Sequence, residues 1–330
     1  MIQKDIDSLL QKIKKEYQVF APIRKKGASF IEKIENGKTV DYSGAIPFDS
    51  WKFLFFPTQE ILLNENFKEP KVNYPKICAW GMNVLDLKAL GLLDLVFEDD
   101  PYYQKRRQNT LAVGLSAGAP SRENFEDFKI FSLNLEENVL EHVPFDIFLE
   151  KMKDGKFLIY SGSQKGQRIL EKNKIRDYEN IQFAGLIQEE GPDKRMLELQ
   201  QKMKKSFNNK VWDELDKICL ACGKCSIVCP TCFCYDISDE VLAKNEVKRL
   251  RKWGNCFYPE FTEIAGGFDF TDTVKKKIHF WYEHKFVRIP KEYKVPGCVS
   301  CMRCFKVCPV AINIIEVLKK LDKSSPARKK

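Results

Sequence analysis

A four-cysteine pattern occurs twice in the chain, and this repeat restricts the possible folds more than any other feature of the sequence. Residues 219–229 contain cysteines in the order C-x2-C-x2-C-x3-C, followed by proline, and residues 298–308 repeat that order, again followed by proline. Cysteines at positions i, i+3 and i+6 can bind three irons of one 4Fe-4S cube, and the fourth cysteine of such a run binds the cube of the other run. The repeat therefore predicts two cubes that exchange their fourth ligands.

The exchange assigns eight cysteines to two clusters. Cluster 1 is predicted to be held by Cys219, Cys222, Cys225 and Cys308. Cluster 2 is predicted to be held by Cys298, Cys301, Cys304 and Cys229. Structural zinc is the alternative, but zinc sites favour C-x2-C pairs separated by about 12 to 20 residues rather than a triple followed by x3-C-P. Crossed ligation keeps two cubes close together, so an electron can pass between them.

Three further cysteines lie near the first run without belonging to the pattern. We expect Cys232, Cys234 and Cys256 to pack beside the clusters without binding iron, because a buried cysteine behaves as a small apolar residue with a weak S–H donor. The open alternative is a third centre, in which these three cysteines are joined by a ligand such as Glu260 or Glu263.

Composition sets the outer limits of the fold and of the compartment. The chain has 330 residues, 44% of them apolar, which is enough for two domains with cores. Its 12 cysteines and an N-terminus without a leader pattern predict a cytoplasmic protein whose cysteines bind metal rather than form disulfides. The longest apolar run, residues 87–97, contains Lys88 and Asp94 and is too short to span a membrane.

The net charge of +9 comes mainly from lysines spread along predicted helices. Such a distribution is typical of a solvated surface, so nucleic-acid binding is not expected. A basic docking surface for an acidic partner is the functional interpretation of the excess charge.

Hydrophobic periodicity predicts an α+β chain in two domains with a tail. A mixed α/β domain is predicted over residues 1–205, an all-helical dicluster ferredoxin domain over 206–321 and a basic disordered tail over 322–330. Strands are predicted at residues 18–23, 51–57, 76–80, 110–115, 156–161 and 181–187. Helices are predicted at residues 5–16, 86–97, 165–172, 239–253 and 273–286.

No pattern in the sequence predicts a catalytic residue. No Cys, His or carboxylate stands in an arrangement that indicates a nucleophile with its base. The glycine-containing segment 160–172 matches neither common phosphate-loop motif, so it predicts an ordinary turn from strand to helix. His142, His279 and His284 are expected to have structural or surface roles.

The chain resembles the iron-sulfur subunit shared by cytosolic NiFe sulfhydrogenases, as their beta subunit, and anaerobic sulfite reductases, as their A subunit. The dicluster pattern alone is common to many redox proteins, and other motifs make the resemblance more specific. They are F-A-P-I at 20–23, F-F-P-T-Q-E-I-L-L at 55–63, L-D-L-K-A-L-G-L-L-D-L-V-F at 85–97, D-P-Y-Y at 100–103, C-P-T-C-F-C-Y-D at 229–236, W-G-N-C at 253–256 and F-x-x-x-A-G-G-F-x-F at 261–270.

The resemblance implies a subunit that carries electrons and performs no bond chemistry itself. Its partners would be a flavoprotein subunit that handles NAD(P)H and a catalytic subunit, which is a NiFe hydrogenase or, alternatively, a sulfite reductase. The relay of another oxidoreductase complex, or a first domain that is itself a flavin enzyme, are further alternatives. Many relatives carry first-domain cysteines where this chain has Leu85, Ala117 and the cysteine-free segment 118–128, and Cys78 stands alone there. No cluster is therefore expected in the first domain.

Overall fold

The computed structural model describes residues 1–35, 37–117, 139–186, 194–241 and 247–323. Contacts between residues divide the described chain into two units. Residues 1–56, 73–117 and 139–186 belong to the first unit, and residues 57–72 together with the described residues from 194 onward belong to the second. The predicted domain boundaries at residues 205 and 321 stay predictions, and residues 324–330 of the predicted tail lie outside the described residues.

A seven-stranded sheet forms the centre of the first unit. Its strands are β1 (Gln18–Lys25), β2 (Ala28–Lys33), β4 (Ile77–Met82), β5 (Thr110–Ala117), β6 (Ile147–Lys151), β7 (Phe157–Ser161) and β8 (Glu179–Asn180). They lie in the order β2-β1-β4-β5-β6-β7-β8. The pairs from β1 to β6 are parallel, while β2 and β7 run antiparallel to β1 and β6. Parallel strands are covered on both faces, which explains why β4 and β5 are almost continuously apolar.

Helices cover this sheet with their apolar sides. They are α1 (Gln3–Ile13), α2 (Lys52–Phe55), α3 (Val84–Val96), α4 (Pro101–Asn109) and α5 (Gln164–Lys172), with a short 3-10 turn at Val139–His142. The apolar positions of α1 follow the helical period, so that Ile6, Leu9, Leu10 and Ile13 are all buried. Asn83 caps the N-terminus of α3, because its side chain accepts a hydrogen bond from the backbone N–H of Asp86.

Most of the elements predicted for the first unit are confirmed. Strands at 18–23, 76–80, 110–115 and 156–161 and helices at 5–16, 86–97 and 165–172 correspond to β1, β4, β5, β7, α1, α3 and α5. The strand at 51–57 is wrong, because residues 52–55 form the short helix α2, and a short, largely apolar run with buried aromatic residues fits either element. The strand at 181–187 is also wrong, since β8 ends at Asn180, and residue 187 lies outside the described residues.

The residues of the strand-to-helix turn at 160–172 contact the carboxylate of Asp146. Asp146 accepts a hydrogen bond from Ser163 Oγ at 2.6 Å and forms an ion pair with Lys165 at 3.3 Å. A Cβ atom at Gly166 would lie 1.8 Å from the carbonyl oxygen of Asp146, so the helix start is pressed against that residue. These contacts support the interpretation as an ordinary turn.

Three sequence motifs of the first unit meet in one aromatic and ionic cluster. The ring centroids of Phe56 and Phe97 are 5.0 Å apart, and those of Phe97 and Tyr103 are 5.1 Å apart. The Tyr103 hydroxyl donates to Asp94 at 2.6 Å, and Arg107 Nε donates to the same carboxylate at 3.0 Å. Phe56, Asp94, Phe97 and Tyr103 come from the motifs at 55–63, 85–97 and 100–103, and Arg107 follows the last of these, so those motifs stabilise the fold.

The second unit contains two small sheets as well as helices. Strands β3 (Gln59–Leu63), β9 (Tyr235–Val241) and β10 (Val247–Trp253) form an antiparallel sheet in the order β3-β10-β9, and β11 (Glu263–Ile264) pairs with β12 (Phe268–Asp269). The helices are α6 (Lys194–Lys204), α7 (Lys210–Ile218), α8 (Lys224–Ile227), α9 (Pro259–Thr262), α10 (Val274–Glu283), α11 (Ile289–Tyr293), α12 (Arg303–Val307) and α13 (Ile314–Lys323). A π-helical turn, His284–Arg288, joins α10 to α11.

The chain is α+β as predicted, but the second part is not all-helical. The helix predicted at 239–253 is wrong, because β9 and β10 form a hairpin there. Arg251 of β10 donates to Glu60 of β3 at 2.8 Å, and both side chains are almost fully buried. This pairing with a distant strand overrides the local helix preference of a Lys- and Arg-rich segment. The helix predicted at 273–286 is confirmed as α10 and the start of the π-helical turn.

The core of the second unit is rich in aromatic residues. Trp212, Trp281, Tyr282 and Phe286 are buried together, and Trp212 Nε1 donates to the carbonyl oxygen of Ser206 at 2.6 Å. The cysteine runs lie against this core. Over the ranges that the structure describes, no helix combines the length and the apolar character needed to cross a membrane.

Candidate metal centre

The two cysteine runs have the same local backbone conformation. Ala221 and Ser300, each two residues after the first cysteine of its run, have φ values of 47° and 57°. Gly223 and Met302, two residues further on, have φ values of 69° and 56°. Four left-handed residues at matching positions are uncommon, because a side chain is disfavoured there. The repeat in the sequence is therefore also a repeat in the structure.

Backbone N–H groups donate to cysteine sulfurs in both runs. The donors and acceptors are Ala221 to Cys219 at 3.4 Å, Ser300 to Cys298 at 3.4 Å and Ile312 to Cys308 at 3.3 Å. Hydrogen bonds of this kind stabilise thiolate ligands and tune the potential of a cluster. The donor set thus has the chemistry that a 4Fe-4S cluster needs.

One cavity brings together all four cysteines assigned to cluster 1. Cys219, Cys222 and Cys225 of the first run and Cys308 of the second run all line it, and Cys304 of the second run lines it as well. Its other walls are largely apolar and include Phe257, Ile278, Trp281, Tyr282, Ile312 and Ile314. A cavity shared by three cysteines of one run and the last cysteine of the other is what crossed ligation requires.

The remaining predicted ligands lie near one another in a more buried place. Burial raises the pKa of the Cys304 thiol, and the nearby Cys298, Cys229 and Cys301 raise it further. Burial also raises the pKa of Cys298 to about 12 against the effect of Lys285. Neighbouring thiolates repel one another in a buried site, and bound iron cations would offset that repulsion. The residues present therefore fit a second cluster.

A single metal ion is less compatible with the cysteine positions. Within the described part of the chain, no three Cys, His, Asp or Glu side chains converge as the ligands of one ion would. The ligands of a 4Fe-4S cube bind separate irons and so need not converge on one point.

The three extra cysteines pack beside the first run. Cys232 and Cys256 are buried and Cys234 is half-buried. A hydrogen bond from Cys232 is the largest cause that lowers the pKa of Cys229 well below its usual range. Burial raises the pKa of Cys256, and the neighbouring Cys234 raises it further. These contacts favour a packing role, which stays a prediction, and no convergent set with Glu260 or Glu263 is found among the described residues.

Asn255 of the W-G-N-C motif holds the loop of the first run. Its buried side chain donates to the carbonyl oxygen of Gly223 at 3.0 Å and accepts from the N–H of Phe257 at 3.1 Å. A Cβ atom at Gly223 would lie 2.2 Å from Asn255 Nδ2, so only glycine fits beside it. The end of the β9–β10 hairpin is joined to this place, because Gly254 N–H donates to the carbonyl oxygen of Cys234 at 2.9 Å.

Lys285 is a site residue that the sequence did not reveal. Its side chain is buried and its Nζ atom lies 3.1 Å from Cys229 Sγ. In the sequence it lies near the end of a predicted helix that contains three other lysines, and the cysteine that it contacts is 56 residues away. The helix predicted at 273–286 includes Lys285, but the helical period does not indicate which residue this lysine contacts.

The histidines and Cys78 lie in surroundings that fit structural roles. His279 packs edge-on against Phe207 and Trp212, and burial lowers its pKa. Burial likewise lowers the pKa of His284 to about 4, so its ring is neutral at pH 7. Cys78 is fully buried in β4, and burial raises its pKa well above its usual value.

Two comparisons with known proteins bear on the site and on the whole chain. Residues 218–312 match the family described as 4Fe-4S dicluster domain. The chain is similar to the sulfhydrogenase 2 subunit beta of Pyrococcus furiosus, with 28% identity over 333 residues that cover 93% of each protein. No solved structure matches the chain. The comparisons confirm the resemblance to the iron-sulfur subunit family that the motifs indicate.

Proposed function

We propose, on the premise that the chain belongs to the iron-sulfur subunit family of sulfhydrogenase beta, that it is the electron-transfer subunit of an anaerobic, cytoplasmic NiFe hydrogenase linked to NAD(P). It would relay electrons between a flavoprotein subunit and the catalytic subunit. The observation that carries the proposal is the cavity in which three cysteines of the first run and Cys308 of the second lie together.

The proposed ligands are the two sets of four cysteines given by crossed ligation. Cluster 1 takes Cys308 as its fourth ligand, and cluster 2 takes Cys229. When bound, the clusters supply one-electron chemistry at short range. The chain itself would hold the sulfurs, donate backbone N–H groups to them and bury Cys229 and Cys301 of cluster 2.

Cluster 1 is the better placed of the two for exchange with a partner protein. Cys222 is exposed, whereas Cys229 and Cys301 are buried. Leu220 is 64% exposed beside it, with Ile218 and Ile227 also exposed. We name Ile218, Leu220 and Ile227 the cluster 1 rim. Exposed apolar residues at such a place favour contact with another protein surface.

The first experiment counts the irons in the purified chain. Two 4Fe-4S clusters correspond to about eight irons and as many acid-labile sulfides per chain. Metal analysis after anaerobic purification measures both. About four irons would remove one of the two proposed clusters, and an iron-free, colourless protein would reject an electron-transfer role altogether.

The second experiment identifies the partners. Anaerobic affinity purification of the chain, followed by mass spectrometry, should recover a NiFe hydrogenase large subunit and a flavoprotein. Recovery of a sirohaem protein instead would assign the same relay to a sulfite reductase. A flavin bound tightly to the isolated chain would contradict the proposal and make its first unit an enzyme.

A further inference from the structure

A buried lysine contacts the cysteine that the first run contributes to cluster 2. Lys285 is 2% exposed, and its Nζ atom lies near three acceptors. These are Cys229 Sγ at 3.1 Å, Thr231 Oγ1 at 3.0 Å and the carbonyl oxygen of Gly297 at 3.4 Å. An ammonium group has three N–H donors, so these acceptors satisfy all of them. The geometry fits the charged form of the lysine.

The ionic partner of Lys285 is a cysteine sulfur. A buried ammonium group is costly unless an opposite charge lies close to it. In the ranges that the structure describes, no carboxylate contacts Lys285, and the ring of Trp281 lies 5.3 Å from Nζ. The Cys229 thiolate, together with any cluster bound to it, is therefore the negative charge that balances this lysine.

The backbone fixes Lys285 relative to the second cysteine run. It lies in the π-helical turn His284–Arg288, and such turns are frequent at functional sites. A Cβ atom at Gly297 would lie 2.3 Å from the carbonyl oxygen of Lys285, so only glycine permits this approach. Gly297 directly precedes Cys298. Both the side chain and the backbone of Lys285 are thus anchored to residues of the cluster 2 site.

We propose that Lys285 raises the reduction potential of cluster 2. The inference rests on the proposed function, because it takes Cys229 as a ligand of that cluster. One added electron makes a cluster more negative by one charge, and a buried positive charge stabilises this reduced state more than the oxidised state. The N–H···S bond acts in the same direction, since hydrogen bonds to the sulfurs tune the potential.

Lys285→Met tests the inference, because it removes the charge and keeps a side chain of similar length. We expect the potential of cluster 2 in the variant to lie about 59 mV below that of the wild type. At the potential where the wild-type cluster is half reduced, the ratio of reduced to oxidised cluster in the variant would then be roughly tenfold lower, for transfer of one electron. The measurement is an anaerobic redox titration of the full chain, followed by EPR. Cysteine-to-serine variants at Cys229 and Cys308 identify which signal belongs to which cluster.

Lys277→Met is the matched control. Lys277 is a buried lysine of α10, but it pairs with Asp269 at 3.7 Å instead of a cysteine. Its replacement should leave the cluster 2 potential unchanged. An unchanged potential in Lys285→Met, with about eight irons retained, would overturn the inference and leave the proposed function standing. A count of about four irons in the wild-type chain would instead contradict the proposed function, because only one of the two proposed clusters would be present.

Lys285→Gln keeps the inference testable if the methionine variant loses iron. Glutamine retains N–H donors but has no charge, so the potential should still fall. If cluster 2 of this variant had the same reduction potential as in the wild type, the proposal that the charge of Lys285 raises that potential would be overturned. If both variants lose about four irons while circular dichroism shows a folded chain, Lys285 serves cluster assembly and the inference is overturned.

Discussion

Asn255 and Lys285 each anchor the cysteine runs through one buried side chain. Asn255 binds the loop of the first run at Gly223, and Lys285 binds Cys229 at the end of the same run together with Gly297 at the start of the second. Neither residue belongs to the four-cysteine pattern. At the residue scale, the site therefore depends on polar groups that orient sulfurs without binding iron.

Cys308→Ser tests the exchange of ligands between the runs. Because Cys308 lines the cavity of Cys219, Cys222 and Cys225, we expect its replacement to disturb cluster 1 and to leave cluster 2 intact. EPR spectra of the reduced protein and the iron content measure the change. Cys78→Ser is the control, since Cys78 is buried in β4 and lies in the other unit. Damage confined to the cluster of Cys298, Cys301 and Cys304 would refute the exchange.

At the scale of elements, the β9–β10 hairpin connects the first cysteine run to a distant part of the chain. β9 begins at Tyr235, directly after the C-P-T-C-F-C segment, and β10 ends at Trp253, directly before Gly254, Asn255 and Cys256. β10 also pairs with β3, which comes from residues 59–63. The hairpin thus places Asn255 against the loop of the first run.

Arg251→Met should destabilise this sheet by about 3 to 5 kcal/mol, because it breaks the buried ion pair between Arg251 and the Glu60 carboxylate. The side chains of Arg251 and Glu60 are only 5% and 9% exposed. Arg249→Met is the matched control two residues earlier in β10. Its pair with Asp239 is exposed to solvent, so we expect a much smaller loss of stability than for Arg251→Met. Chemical denaturation of the two variants measures the difference. Equal midpoints would contradict the importance of the buried pair.

The sequence predicted those parts of the fold and site whose signals are local. β4 and β5 are continuous apolar runs, and the cysteine spacing alone brought together residues that line one cavity. The hairpin was missed because β9 is exposed at every position and so has no alternating apolar pattern, while β10 also pairs with β3, where Glu60 lies 191 residues before Arg251. Lys285 was missed because its partners are Cys229 and Thr231, more than 50 residues away. The hydrophobic periodicity of a short segment carries no information about contacts with residues so far away in the sequence.

At the scale of the whole molecule, a relay subunit must offer a surface over a cluster that a partner can reach. The cluster 1 rim has that character: its apolar side chains are exposed beside the exposed Cys222. Lys217 and Lys224 are exposed within the same stretch of sequence, and the chain has a net charge of +9. An acidic partner surface would therefore be attracted to the chain by its overall positive charge.

Leu220→Glu should weaken association with the partner while leaving the clusters in place. The new carboxylate puts a negative charge in an apolar contact and repels an acidic surface. Anaerobic co-purification measures the association, and iron content checks the clusters. Phe67→Glu, at an exposed apolar residue outside the rim, is the control and should bind as the wild type does. Rising salt should also weaken wild-type binding, because exposed charges are screened over about 8 Å at physiological ionic strength. Association that neither Leu220→Glu nor salt affects would place the partner on another surface.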